Sequence, residues 1–155
     1  MSRKRARAMG INHIALEVAD IDAALEFYGQ LVDFEISSRS KTAAFIYFGD
    51  QFINFSLGRE QTPDQRRHFG LVVDDKDAVR DCLTELGVAV LPGRFLDFLD
   101  PWGNRVEIVS YQNIRFTKTS NILAGMEMPD PGKTDKAQAE LEAAGMGPNN
   151  GPKSA

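Results

Sequence analysis

A single cysteine, Cys82, in 155 residues rules out an internal disulfide. A lone thiol fits a reducing compartment, so the expectation is cytoplasmic. Long apolar runs are missing too: none reaches the roughly 18 residues a membrane span needs. The basic residues near the start are followed by no apolar segment of the secretory kind. Positive charge is not in excess, with 18 Lys and Arg against 22 Asp and Glu and a net charge of −4, which argues against nucleic acid as a partner. The basic run Arg3, Lys4, Arg5 and Arg7 reads as a solvated N-terminal tail. What remains is ordinary globular composition, 43% hydrophobic and 26% charged, and enough chain for one domain with a sizeable core.

Histidine is also scarce, and the two present stand at equivalent places in an internal repeat. Residues 12–36 laid over 67–91, an offset of 55, match at seven positions: His13/His68, Leu16/Leu71, Val18/Val73, Asp20/Asp75, Asp22/Asp77, Ala23/Ala78 and Leu31/Leu86. Each copy opens with a β-branched and apolar run, then an acidic break that supplies N-cap candidates. A helix follows, presenting Ala24, Phe27, Tyr28 and Leu31 in the first copy and Val79, Cys82, Leu83 and Leu86 in the second. Both sets follow the i, i+3, i+4, i+7 spacing of one buried stripe, which makes Cys82 a core residue.

Strand-like segments come next: Phe34–Ser38, Ala43–Phe48 and Gln51–Leu57, then Val88–Leu91, Arg94–Leu99 and Arg105–Tyr111. Gly49-Asp50 reads as a tight hairpin turn, and Pro101 and Gly103 punctuate the last connection. The pattern predicts an α+β fold of two βαβββ modules, residues 10–58 and 67–111, joined by Gly58–Arg67. Neither module buries its own sheet; two curved sheets around a cleft, helices outside, solve that problem. Residues 1–9 form the tail. Residues 112–155 form an extension, partly disordered or docked, in which Asp135–Ala144 can make a helix.

Side chains alternate along a strand, so His13, Ala15 and Glu17 share one face while Ile14, Leu16 and Val18 share the other. The apolar set faces its helix, which turns His13 to the cleft. The same parity turns His68 and Glu107 to the cleft. A carboxylate in a half-buried sheet is unfavourable unless paired or bound to metal. Two histidines and a carboxylate with coordination positions left open suit one divalent ion: Fe, Mn, Ni, Co or Zn. Asp97, in an apolar strand beside Glu107, is a candidate for acid–base work or a simple ion-paired residue. Tyr111, four residues after Glu107, is a candidate to bind substrate or line the cleft.

These motifs resemble the vicinal-oxygen-chelate superfamily of glyoxalases, extradiol dioxygenases, fosfomycin-resistance transferases, epimerases and bleomycin-resistance proteins. The resemblance covers residues 10–111 and rests on residues 11–16, 20–28, 68–75 and 100–109, of which Asp100-Pro101-Trp102-Gly103-Asn104 followed by Glu107 is the most specific. It implies a paired glyoxalase-like fold and His13, His68 and Glu107 as metal ligands. It aligns Asn54 with Glu107 as the fourth position, where glyoxalases carry Glu; Asn54 is then a weak ligand, a water or substrate holder, or a cleft-lining residue. Dioxygenases carry Tyr where this chain has Asp97, and their further histidine is missing. The potassium-binding loop of the fosfomycin transferases is not found. The implied activity is a glyoxalase- or epimerase-like lyase or isomerase that stabilises an enolate, with Glu107 and Asp97 as catalytic groups. The alternatives are an Fe(II) dioxygenase or a non-catalytic drug-binding protein. A small-molecule substrate and a homodimer with shared sites complete the expectation.

Overall fold

The computed structural model describes residues 9–148; the basic run at Arg3–Arg7 lies outside the described residues. The first module runs β1 (His13–Val18), α1 (Ile21–Leu31), β2 (Glu35–Arg39), β3 (Ala43–Phe48) and β4 (Gln51–Leu57). The second runs β5 (Phe69–Val73), α2 (Lys76–Glu85), β6 (Leu96–Leu99) and β7 (Arg105–Ser110). Their sheets are ordered β1-β4-β3-β2 and β5-β7-β6, with β1 parallel to β4 and β5 parallel to β7. The repeat in the sequence is therefore a repeat of topology, and the fold is α+β.

The local signals act as chemistry requires. Asp20 accepts a hydrogen bond from the Ala23 N–H, and Asp75 accepts from Asp77 and Ala78, capping both helices. Gly49 takes φ +73° in the two-residue β3–β4 turn. The second sheet has one strand fewer than the periodicity predicts. Where Val88–Leu91 was expected to pair, only Val90 bridges to Phe98 and Leu91 N–H reaches the Asp97 carbonyl. Pro92 has no N–H to extend the ladder and Gly93 turns to φ +148°, so pairing stops there.

Core residues of both modules form one cluster, with Phe27 of α1 packed on Phe98 of β6. Cys82 joins its edge, its thiol donating to the Gln30 carbonyl, and burial, with Glu85 nearby, pushes that thiol up. A network of hydrogen bonds joins the modules at the Asp100–Asn104 turn. Asp100 Oδ1 accepts from the N–H groups of Trp102 (3.0 Å) and Asn104 (2.8 Å). Its Oδ2 accepts from the Tyr28 hydroxyl of α1 (3.0 Å) and from Asn104 Nδ2 (2.8 Å). Asn104 Nδ2 also donates to the Glu17 carbonyl of β1, and its Oδ1 accepts from buried Arg59 of the linker. Gly103 sits at φ +84° against the linker; a Cβ there would lie 2.8 Å from Pro63 Cα.

Beyond β7 the described residues, to 148, pack on the body. A 3-10 turn (Tyr111–Asn113), α3 (Ser120–Gly125) and α4 (Asp135–Ala143) follow, α3 being a helix that the sequence pattern does not reveal. Leu123, Ala137 and Leu141 are buried. Lys133 Nζ lies 3.3 Å from the Tyr111 ring centroid and donates to the carbonyls of Tyr111 and Phe116. Burial holds this ammonium below its usual range. Lys118 pairs with Asp50 in the hairpin turn, and Met126 packs where a Cβ on Gly49 would go, 2.6 Å from its sulfur.

Burial, and then the charge of Asp100, raises Tyr28 well above its ordinary value. The folded state keeps this proton where the unfolded chain releases it, so the stability Tyr28 contributes is complete below about pH 10 and is lost as pH rises beyond. Tyr28→Phe is expected to lower stability at neutral pH by about 1.5–3 kcal/mol, the worth of a hydrogen bond to a charged group. Urea unfolding across pH checks it: the variant should also show a shallower decline above about pH 10.

Candidate metal centre

Strand parity places His13 on the exposed face of β1, opposite buried Leu16 and Val18. Asn54 lies on the same face of β4, since Ala15, Asn54 and Phe45 are register partners across β1, β4 and β3. The equivalent triplet in the second sheet is Gly70, Glu107 and Asp97. His68 precedes β5 by one residue, and its Nε2 stands 3.3 Å from Glu107 Oε2. Asn54 and Glu107 thus occupy the same place in their respective sheets.

Hydrogen bonds orient both imidazoles. His68 Nδ1 lies 2.8 Å from the Arg66 carbonyl, an acceptor only, so Nδ1 carries a proton and Nε2 is the nitrogen turned to Glu107. Nε2 and the carboxylate oxygen pair favourably when a cation or proton lies between them. Such a second partner on the far nitrogen is the support that metal-binding histidines use. His13 repeats the arrangement, with Nδ1 at 2.9 Å from Asn12 Oδ1. Its ring is also stacked on Phe52, centroids 4.6 Å apart and planes at 11°. Asn54 makes no hydrogen bond through its side chain, and its Oδ1 is buried without a partner. The donor set, two imidazole nitrogens, a carboxylate and an unengaged amide oxygen, fits a divalent ion of borderline hardness.

Within one chain these groups do not all meet. Among the described residues no three His, Cys, Asp or Glu side chains come close enough to hold a metal ion. His68 and Glu107 are together; His13 is apart. The helix-bearing faces of both sheets share one core, so the His13 and Glu107 faces lie on the far sides of their sheets. His13 and His68 border an open groove of about 1470 Å³ whose wall includes Phe116, Lys118 and Met126 of the extension.

The other two candidates have partners. Asp97 is buried, with Oδ2 held by both Arg105 Nε (2.9 Å) and Nη2 while Oδ1 has no partner. Arg105 also donates to the Gln65 carbonyl, three residues before His68. Tyr111 was expected in the last strand, but β7 ends at Ser110. Tyr111 opens the 3-10 turn, buried beneath the extension, its hydroxyl accepting from the Lys118 N–H at 3.2 Å. Lys133 reaches back to its carbonyl and turns the chain off the strand. Sequence reasoning missed Phe52 and Arg105. The signal was there: in β4 and β7 each stands two residues before Asn54 or Glu107 on the cleft face.

Residues 10–108 match the profile of the Glyoxalase/Bleomycin resistance protein/Dioxygenase superfamily, and the chain belongs to that family. Among characterised relatives, the glutathione transferase FosA of Serratia marcescens is 26% identical over 110 residues, 63% of this chain and 78% of that protein. The metallothiol transferase FosB of Staphylococcus epidermidis is 24% identical, over 63% of this chain and 79% of its own. A solved structure of the fosfomycin resistance protein FosX of Listeria monocytogenes, complexed with Mn(II) and sulfate, superposes with a TM-score of 0.58 at 20% identity. The match covers 66% of this chain and 92% of that one. These likenesses leave α3 and α4 outside the family match.

Titration with Mn(II) or Zn(II) followed by calorimetry is expected to give about one ion per chain. His13→Ala, His68→Ala and Glu107→Gln should each weaken binding by more than the roughly 10–100-fold that losing a supporting partner costs, with the circular dichroism spectrum unchanged. Wild-type affinity in all three variants would show that the metal is held elsewhere.

Proposed function

We propose that this chain is a divalent-metal-dependent enzyme whose ion is held by His13, His68 and Glu107 and whose substrate is a small organic molecule with two neighbouring oxygens. The observation that carries the reading is the His68–Glu107 pair, Nε2 and Oε2 at 3.3 Å with Nδ1 already engaged. When bound, the ion (Fe, Mn, Ni, Co or Zn) supplies Lewis-acid polarisation of the two oxygens. Glu107 turns Oε2 to His68 and offers Oε1 to take a proton from the carbon next to a carbonyl. Asp97, held by Arg105, anchors that guanidinium against the segment leading into His68 and acts by positioning. Asn54, with its free amide, orients the substrate. Tyr111 secures the extension through Lys118 and Lys133.

This makes the first reading a lyase or isomerase of the glyoxalase or epimerase kind. Thiol transfer is the second, favoured by the names of the relatives FosA and FosB. The two readings need different co-reactants, which separates them. With Mn(II)-loaded protein and hydroxyacetone in D2O, the first predicts metal-dependent deuterium uptake next to the carbonyl, seen by NMR and lost in Glu107→Gln. The second predicts that fosfomycin is consumed only when glutathione is present. Neither reaction, in protein that takes up no divalent ion, would favour the drug-binding members of the family.

The separation of His13 from His68 and Glu107 within the chain supports a homodimer in which each site takes His13 from one copy and the pair from the other. The outer edges of β1 and β5 are unpaired among the described residues, and a two-fold pairing covers both at once. The check is complementation between a His13→Ala chain and a Glu107→Gln chain. Mixed dimers should regain one intact metal site of two; no recovered binding would mean that each chain closes its own site.

A further inference from the structure

The cleft faces of the two sheets have diverged in chemistry although their backbones correspond. In the second sheet the face beside His68 carries Glu107, Asp97 and Arg105, a set of charges that satisfy one another or await a cation. In the first sheet the equivalent places are taken by Asn54, Phe45 and Phe52. His13, Phe52 and Tyr47 are register partners across β1, β4 and β3, with successive ring centroids 4.6 and 4.9 Å apart and planes at 11° and 23°. Those steps equal the spacing of neighbouring strands, so the rings stand upright like tiles and turn their edges to the cleft. Phe45, one row along, tilts against Phe52 at 5.8 Å. All are partly exposed. No Lys or Arg stands on this face among the register partners; besides Tyr47, its ionisable groups are His13, Glu17 and Glu35.

We infer that this face binds the organic part of the substrate and selects a flat aromatic molecule bearing a hydroxyl, over a small phosphonate. A ring laid across upright rings meets several edges with its face, the edge-to-face contact that aromatic groups favour. A phosphonate dianion finds no Lys or Arg among the register partners of this face and two carboxylates nearby, and Lys118 at the groove wall is already paired with Asp50. Asn54 stands in the row beside the rings with no side-chain hydrogen bond, an amide that answers one ligand hydroxyl. Sheet parity alone aims these groups to the side away from the core. The inference rests on the proposed metal site only for the other half of the substrate, its chelating oxygens.

Calorimetry on the full chain separates the two ideas, with 2-naphthol as a flat hydroxylated probe without a chelating pair, acetohydroxamate as a chelator without a ring, and methylphosphonate as an anion. Binding of 2-naphthol is expected with or without Mn(II), and methylphosphonate should bind at least tenfold more weakly. Phe45→Ala and the milder Phe45→Leu should each weaken 2-naphthol about tenfold or more, some 1.4 kcal/mol, while acetohydroxamate binding to Mn(II)-loaded protein stays unchanged. No 2-naphthol binding, or wild-type affinity in both folded variants, overturns the aromatic face even if the metal site stands. Binding of 2-naphthol by a protein that takes up neither Mn(II) nor acetohydroxamate overturns the metal site and leaves the aromatic face.

Discussion

The whole arrangement hangs on a buried carboxylate. Asp100 is taken out of water, and burial raises its carboxyl even though four hydrogen bonds favour the anion. An acid in that position persists only because each oxygen is matched by donors. The donors come from different parts of the chain: its own turn, α1 of the other module through Tyr28, and Asn104, which ties in β1 and the linker Arg59. Losing any one weakens the support of a buried carboxylate or of the Asn104 that holds it, so the turn fixes how the second module sits on the first. The spacing from Asp100 to Glu107 then sets the position of the Glu107 carboxylate on β7.

Repetition of a module would, unmodified, give two identical faces. The chain departs from that symmetry at a few positions whose backbone register is shared between the sheets. Glu107 against Asn54, Asp97 against Phe45 and Arg105 against Phe52 are the exchanges that matter. They give one face a charge density suited to a cation and the other a row of rings. Among the described residues of one chain His13 does not join His68 and Glu107 in a group able to hold a metal, which is why a second copy of the chain enters the functional reading.

The extension adds what the family match leaves out. It is bound by the part-buried ammonium of Lys133 over Tyr111, by Lys118 on the hairpin turn, and by Met126 against Gly49. These contacts bring Phe116, Lys118 and Met126 to the groove that His13 and His68 border. A hairpin glycine needed for its backbone conformation thus also makes room for a sulfur.

Much of this was legible in one dimension. The repeat, the helix caps at Asp20 and Asp75, the buried stripes and the facing of His13 and Glu107 all depend on residues close in sequence, through the periods of helix and strand. The pairing of His68 with Glu107 follows once β5 and β7 are neighbours. Other features depend on distant segments meeting. Whether Asp97 is a free acid was decided by Arg105 across the β6–β7 hairpin. Whether Val88–Leu91 pairs was decided by how far a ladder continues before Pro92. Whether Tyr111 stays in the strand was decided by Lys133, 22 residues on. Periodicity tells which way a side chain points; only the folded chain determines what is waiting there, because contacts between remote segments leave no local pattern.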